Sequence, residues 1–528
     1  MRCAAALLFI YGAWLRWSDS FVAITTPDSF QYLQGALTGD LSTVAWRTFP
    51  YPLFIKVCIE HGGGLETVVA LQKAGGLLTA LLVFGTWIQF KKIIPYRRWG
   101  NMAHDLLGLL LFAMLLLPYG STRFHEQSIM LEALSSLALA LVVFSAARLF
   151  TVLRQKSSHL QVALWAGTLL GLSLFANQFN PRFSPTVVLS FLFVVIALRV
   201  ARVRWTVSLA AITVPIILAV IFLFRIQAPL DRKNIWNSTF VSMHLLFMNV
   251  RIILPEITSD AEDTSFTRYD RVFLRQLSSA ITDELTRASR EGPGGNYTLN
   301  YDPNRLLWGP ANDLLRSNVH GSPSAYNAFC QYYFRRGLSA HPIGYLHKVA
   351  LEWWYLLRPS GPVLDDSWSP LPLTAALGDS ALNAVTYAHR ARPAVQPAFL
   401  AYQVQLAASR DSTVTFSTPF PLNHLGMWVN RFFLIGWVLS GGFAAYCLWR
   451  KVPNMTEISL GFIGISILLL GQFAPLALVT TTCGARAIQG LRVLTAFTTV
   501  NIGLIVLLLL VTLTGQKHRF WGKPEEGR

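Results

Sequence analysis

Ten apolar runs set the terms on which this chain can fold: residues 3–17, 66–89, 102–118, 128–147, 160–177, 183–198, 205–225, 428–449, 458–478 and 491–514. Each is near the ~20 residues that an α-helix needs to cross ~30 Å of hydrocarbon. Inside lipid every backbone N–H and C=O must be satisfied without water, so runs of this kind fold as helices. The spacing predicts an all-α polytopic membrane protein with about ten transmembrane helices. Composition agrees: 53% of the 528 residues are hydrophobic, only 13% are charged, and the mean hydropathy is +0.43. The first run, "MRCAAALLFIYGAWLRW", has the length of a signal peptide, but no clear small-residue cleavage site follows it. It is read as a retained first helix with a Trp/Arg exit.

A formal charge of +17 raises the question of nucleic acid. The basic residues, however, gather in alternate short segments between apolar runs: Arg2, the "KKIIPYRR" run, Arg148, Arg154, Lys156, Arg199, Arg202, Arg204, Arg450, Lys451 and the C-terminal tail. That is the distribution of cytoplasmic loops in a membrane protein, so the charge reads as topological and no nucleic-acid partner is expected. It places residues 226–427 on the outer side, and that segment holds most of the chain's 27 acidic residues and turn signals such as "EGPGGNYTLNYDPN". Three parts follow: an N-terminal membrane module over 1–225 with about seven helices and a first external loop at 18–65; a mixed, largely helical external segment over 226–427; and a C-terminal membrane module with about three helices over 428–528. Within the external segment, 273–288 and 345–359 have helical periodicity. The second, rich in aromatic residues, reads either as a helix lying on the membrane surface or as an ordinary amphipathic helix of an external domain.

Some chemistries find no support. The five cysteines (Cys3, Cys58, Cys330, Cys447 and Cys483) form no CxxC pair and no metal-ligand spacing. No P-loop, GxGxxG, GxSxG or HExxH pattern occurs. The triplets "NST" at 237 and "NYT" at 296 are glycosylation sequons, which matter only in a host that glycosylates.

The outer side collects polar residues instead. "TTPDSFQYLQGALTGD" places Asp28 beyond the first run with Tyr32 one helical turn later. A carboxylate there is able to deprotonate an acceptor hydroxyl or amine; the same stretch also reads as a turn with Asp28 capping a short helix. "RFHEQSIMLEALSSLALALVVF" puts Glu126 at the boundary and Glu132 about 9 Å deeper along a helix. An ionisable group at that depth faces a cavity or a partner. "FANQFNPRFSP" brings Asn177, Gln178, Asn180 and Arg182 to the same side, where an arginine fork suits phosphate oxygens and an interfacial anchor is the alternative. Gln72, Lys73, Arg486 and Arg492 lie similarly. Acids and cations on several helices suit transfer from a lipid phosphate donor, with cations on the leaving phosphate and a carboxylate activating the acceptor.

These residues carry a resemblance. An Asp in the first external loop, "RTFPYPLF" before the second run, "HEQSIMLEALSSLALAL" and the "NQFNPRF" hairpin together look like the GT-C glycosyltransferases, in particular the branch of protein O-mannosyltransferases and the lipid A aminoarabinose transferase. The resemblance covers the first ~200 residues. It implies a GT-C-like fold and an inverting glycosyltransferase that takes its sugar from a polyprenyl-phosphate donor and passes it to a glycan, lipid or protein acceptor on the outer or periplasmic face. By that resemblance Asp28 matches the first-loop catalytic acid, expected as the general base, and Glu132 the second acid, with Glu132 or Glu126 assisting or orienting the acceptor. Arg47, Arg182, Arg492 and Lys73 would hold the donor phosphate, and Tyr32, Tyr51 and His125 would contact substrate. Where the aminoarabinose transferase has a Glu-Lys-Pro-Pro type stretch this chain has "WRTFPYPLF", so Arg47 takes the place of that lysine, and the enzyme's sugar specificity is not carried over. Some relatives use a divalent cation and others none. This chain shows no clear carboxylate cluster for one, so metal independence and no cofactor are expected. The location implied is a bacterial inner or plasma membrane, with the site facing the periplasm or exterior. Two other readings remain: an O-antigen-type polymerase or ligase, working through arginines near "CQYYFRRGLSAHP", and a polytopic transporter or flippase.

Overall fold

The computed structural model describes residues 1–357, apart from short stretches at 20, 22, 24–28, 39–40, 42–48, 93–97, 118–125, 181–182, 234–238, 293–298 and 320–321, and a few positions between 438 and 449. The last third of the external segment (358–427) and nearly all of the last three apolar runs therefore lie outside the described residues, which are mostly helical and contain no strand.

The chain opens with α1 (Arg2–Ser18) and continues through two short helices, α2 (Ser29–Thr38) and α3 (Pro50–Gly62). Prolines in the first turn of α3 cost nothing there, because those N–H groups have no partner inside a helix. The bundle proper follows: α4 (Leu65–Lys91), α5 (Arg98–Leu116), α6 (Glu132–Arg154), α7 (His159–Phe179), α8 (Ser184–Val200) and α9 (Trp205–Phe222), the last running into a π-turn at Leu223–Gln227. The seven N-terminal apolar runs each fall on one of α1 and α4–α9. Among the described residues four helices are long and apolar enough to cross a membrane: Leu65–Gln89, Ala133–Arg154, His159–Phe179 and Trp205–Leu230. The number becomes five if the bent pair Phe240–Phe247 and Val250–Glu262, which meet at 84°, is one span. This is a membrane protein by the length and composition of those helices.

The bundle core runs from α4 through α9. Val83 and Trp87 of α4 meet Leu139, Val142, Val143 and Ala146 of α6, and these meet Val162, Ala166, Leu169 and Leu170 of α7. Helix α9 is apolar along its length with no buried residue, and Val214, Ile217, Leu218 and Ile221 are exposed. Such a surface is at home against lipid tails and not against water. Its interior Pro215 has no N–H for the Ala211 carbonyl one turn back. That carbonyl faces Gly167 of α7, which lets the two backbones come close.

A second core belongs to the helices after residue 228: α10 (Ala228–Lys233), α11 (Phe240–Phe247), α12 (Val250–Glu262), α13 (Arg271–Glu291), α14 (Pro303–Trp308), α15 (Pro310–Asn318), α16 (Pro323–Ala340) and α17 (Pro342–Leu357). Met243, Leu246, Phe247, Ile253, Ile257, Leu274, Leu277, Ile281, Leu306, Leu315, Tyr326, Phe329 and Tyr333 are buried together. The amphipathic α13 starts at Asp270, whose carboxylate accepts from Val272 N–H at 3.0 Å, and ends at Gly292, whose φ of 90° suits glycine. Buried Glu284 of α13 accepts the Ala311 N–H at 2.9 Å and so caps α15 from a neighbouring helix; burial pushes its pKa above the usual carboxylate range.

Candidate functional site

Helix ends of the bundle converge on one polar cluster. Arg16 lies in the last turn of α1, one turn beyond Gly12. A Cβ at Gly12 would sit 2.9 Å from the Cβ of Leu116, so glycine is what allows α1 to approach the end of α5. That approach brings the Arg16 guanidinium onto the orphan carbonyls of the α5 C-terminus: it donates to Leu116 O, and to Leu115 O at 3.4 Å. The remaining face of the fork meets Glu126, with Nε 3.0 Å from Oε2 and Nη2 3.1 Å from Oε1. Both side chains are buried, at 1% and 5% exposure. Space for the carboxylate comes from Gly76 of α4, because a Cβ there would collide with Glu126 Oε1.

Helix α4 contributes two more groups. Lys73 Nζ donates to Arg16 O at 2.8 Å and to Asp19 O at 3.2 Å, and it stands 4.1 Å from the centre of the Phe21 ring. A cation thus closes the C-terminus of α1, where the helix dipole favours positive charge. Gln72 donates to the carbonyls of Glu126 and Ser128, both at 2.9 Å, and accepts from Tyr51 Oη at 2.7 Å. Tyr51 is fully buried, with the Tyr32 ring edge-on at 5.0 Å and Phe179 of α7 at 6.2 Å. Phe49, just before α3, stacks on Phe222 of α9 at 5.2 Å. The first-loop helices α2 and α3 are therefore seated on the end of the bundle by aromatic contacts with α7 and α9.

The expected site residues divide accordingly. Tyr32, Tyr51, Lys73 and Glu126 come together in this cluster. Glu132 opens α6 just beyond it. Asp28, Arg47, His125, Arg182 and Arg492 lie outside the described residues; Asp28 directly precedes Ser29, the first residue of α2. Arg16, the hub of the cluster, reads in the sequence only as the charge at the exit of the first run. The signal that marks it is its spacing four residues after Gly12, which puts the glycine and the arginine on one helix face.

In chemical terms the cluster is a rigid polar wall at one end of an apolar bundle. Glu126 has both oxygens on Arg16, which suits it to holding geometry more than to moving a proton. The opposite end differs: Lys91 pairs with Asp105 at 2.5 Å, Arg148 bonds Gln89 at 2.8 Å, and Lys156, Arg202 and Arg204 follow in short turns. Among the described residues no group of His, Cys, Asp and Glu is arranged to hold a metal ion. Comparison with protein-family models, with curated proteins and with solved structures returns no match.

Proposed function

We propose that the protein is an integral membrane glycosyltransferase of the GT-C type, which transfers a sugar from a polyprenyl-phosphate donor to an acceptor at the end of the bundle where Arg16, Lys73, Glu126, Gln72, Tyr51 and Tyr32 meet. The observation that carries this reading is the buried ionic cluster itself. Ionisable groups at the end of an apolar bundle are costly, and they gather where a polar substrate enters. The fuller architecture belongs to the same proposal: about ten transmembrane helices, the basic end in the cytoplasm, and the cluster facing the periplasm or exterior.

In this scheme Asp28 takes the proton from the acceptor hydroxyl or amine. The acceptor atom then attacks the anomeric carbon, the carbon–oxygen bond to phosphate breaks with inversion, and the polyprenyl phosphate leaves with the bonding electrons. Arg47, Arg182 and Arg492 stabilise the charge that grows on that phosphate, while Lys73, buried with its ammonium on the Arg16 and Asp19 carbonyls, braces the end of α1. Tyr32 and Tyr51 fix α2 and thereby the segment that carries Asp28, while Glu126 and Glu132 orient the acceptor. No divalent cation is given a role.

The test is sugar transfer by purified protein in vesicles supplied with a panel of radiolabelled polyprenyl-phosphate sugars, wild type beside Asp28→Asn. Transfer from one donor, lost in the variant while donor binding persists, is the expected result. Undiminished transfer in Asp28→Asn would remove Asp28 from the mechanism, and no turnover with any donor would remove the reading.

A further inference from the structure

Away from the bundle cluster, α16 and the turn before α13 form a groove of about 550 Å³ lined by Arg268, Gln331, Tyr332, Arg335, Arg336 and Ser339, together with Ala328. That volume lies within the ~300–1,000 Å³ typical of small-molecule sites. Three arginines and no acid line it. Arg336 is anchored from below: it bonds Glu256 at 2.9 Å, pairs with Asp260 at 2.5 Å and donates to Tyr332 Oη at 3.1 Å. His341 also faces Glu256, at 3.3 Å, so Glu256 and Asp260 are turned towards Arg336 and His341 and away from the groove. Arg268 is stacked 4.4 Å over the Tyr332 ring, and Tyr332 is held edge-on by Tyr333 and Tyr269. Among the described residues Arg268 has no acidic partner, and exposed Arg335 has neither hydrogen bond nor ion pair.

A guanidinium already stacked on an aromatic ring loses little freedom when its fork takes up an anion. We propose that this groove binds an acidic saccharide: its phosphate or carboxylate lies in the forks of Arg268 and Arg335, and its hydroxyls meet Gln331 and Ser339. That the ligand is the acceptor for transfer rests on the function proposed above; the binding itself does not.

The experiment measures equilibrium binding to the full chain in lipid nanodiscs, with no turnover required, so its outcome is independent of the transfer assay. The probes are glucose 1-phosphate, glucuronate, neutral glucose and inorganic phosphate. Saturable binding of the first two, with glucose failing and phosphate weaker, is expected. Arg268→Ala and Arg335→Ala should each weaken glucose 1-phosphate about tenfold, the scale of one charge-assisted hydrogen-bonding group. Arg268→Lys should fail to restore it, because an ammonium is no fork. Melting curves should match wild type, since both side chains are exposed. Equal affinity for glucose and its phosphate, or binding unchanged in both alanine variants, would overturn the proposal. Inorganic phosphate binding as tightly as glucose 1-phosphate would overturn its saccharide part.

Discussion

Arginine meets carboxylate in two regions of this protein, and the settings differ. Arg16 and Glu126 are both buried, come from positions 110 residues apart, and join the ends of α1 and α5 to the side of α4 at Gly76. Arg336 meets Glu256 and Asp260 in the second core, where the arginine remains 35% exposed and Asp260 alone is sealed at 1%. In the first setting water cannot replace a missing partner, so the pair specifies how the helix ends assemble. In the second, water reaches the arginine and screens the pair, so its contribution is smaller. The same chemistry is thus a condition of assembly in the bundle and a local brace in the helices beyond it.

The strongest way to break this contrast is to remove one member of the bundle pair. Glu126→Ala leaves Arg16 charged and buried, and should cost about 3–5 kcal/mol, read as loss of folded protein in thermal unfolding. Replacing both, as Arg16→Met with Glu126→Leu, should recover most of that loss, because an apolar pair of similar volume avoids the desolvation of two ions.

Lys348 of α17 gives an intermediate case. It is buried, with Glu352 one turn on, and burial lowers its pKa from the ordinary value near 10.5 to about 8. Between those values the unfolded chain keeps a proton that the folded chain has lost, so stability rises with pH across that window. The gain is at most about 3 kcal/mol. Lys348→Met should raise the unfolding temperature at neutral pH and flatten the slope; an unchanged slope would place the titration elsewhere.

The exposed brace comes next. Arg336→Met leaves Asp260 with the Tyr333 hydroxyl, 3.2 Å away, as its donor, and should cost about 1–3 kcal/mol, visible as a shift in urea unfolding. Because burial raises the Asp260 pKa and Arg336 opposes that, the variant should raise it further. An acid whose folded pKa lies above its unfolded value destabilises as pH climbs through the interval, so Arg336→Met should steepen the loss of stability above the ordinary carboxylate range. Smallest is Tyr51→Phe, which removes one hydrogen bond to Gln72 and should cost about 1 kcal/mol in the same assay.

Much of the bundle was legible because a run long enough to cross lipid has few alternatives to a helix. The run at 160–177 is α7 (His159–Phe179), which starts one residue earlier and ends two residues later. The run at 128–147 is displaced, since α6 covers Glu132–Arg154: it continues past Arg148, a residue that reads as a loop charge until its bond to Gln89 and its place 5.2 Å from the Trp165 ring are seen. In the external segment, 273–288 lies within α13 and 345–357 within α17, with 358–359 outside the described residues. The cluster was only half legible. Lys73 and Gln72 stand out as polar groups in an apolar run and Glu126 as an acid at the boundary of one, whereas Arg16 looks like a flanking anchor because its partner lies far along the chain. Long-range pairing of this kind leaves no local pattern to read.

The most direct measurement is sugar transfer by the Arg16→Met, Glu126→Leu double variant in vesicles, beside wild type and with unfolding followed in the same samples. If the cluster belongs to the site, the variant stays folded with most of the wild-type stability and transfer falls by tenfold or more, about 1.4 kcal/mol of lost transition-state stabilisation. Wild-type transfer from the folded variant would show that the pair serves assembly alone, and would contradict the account.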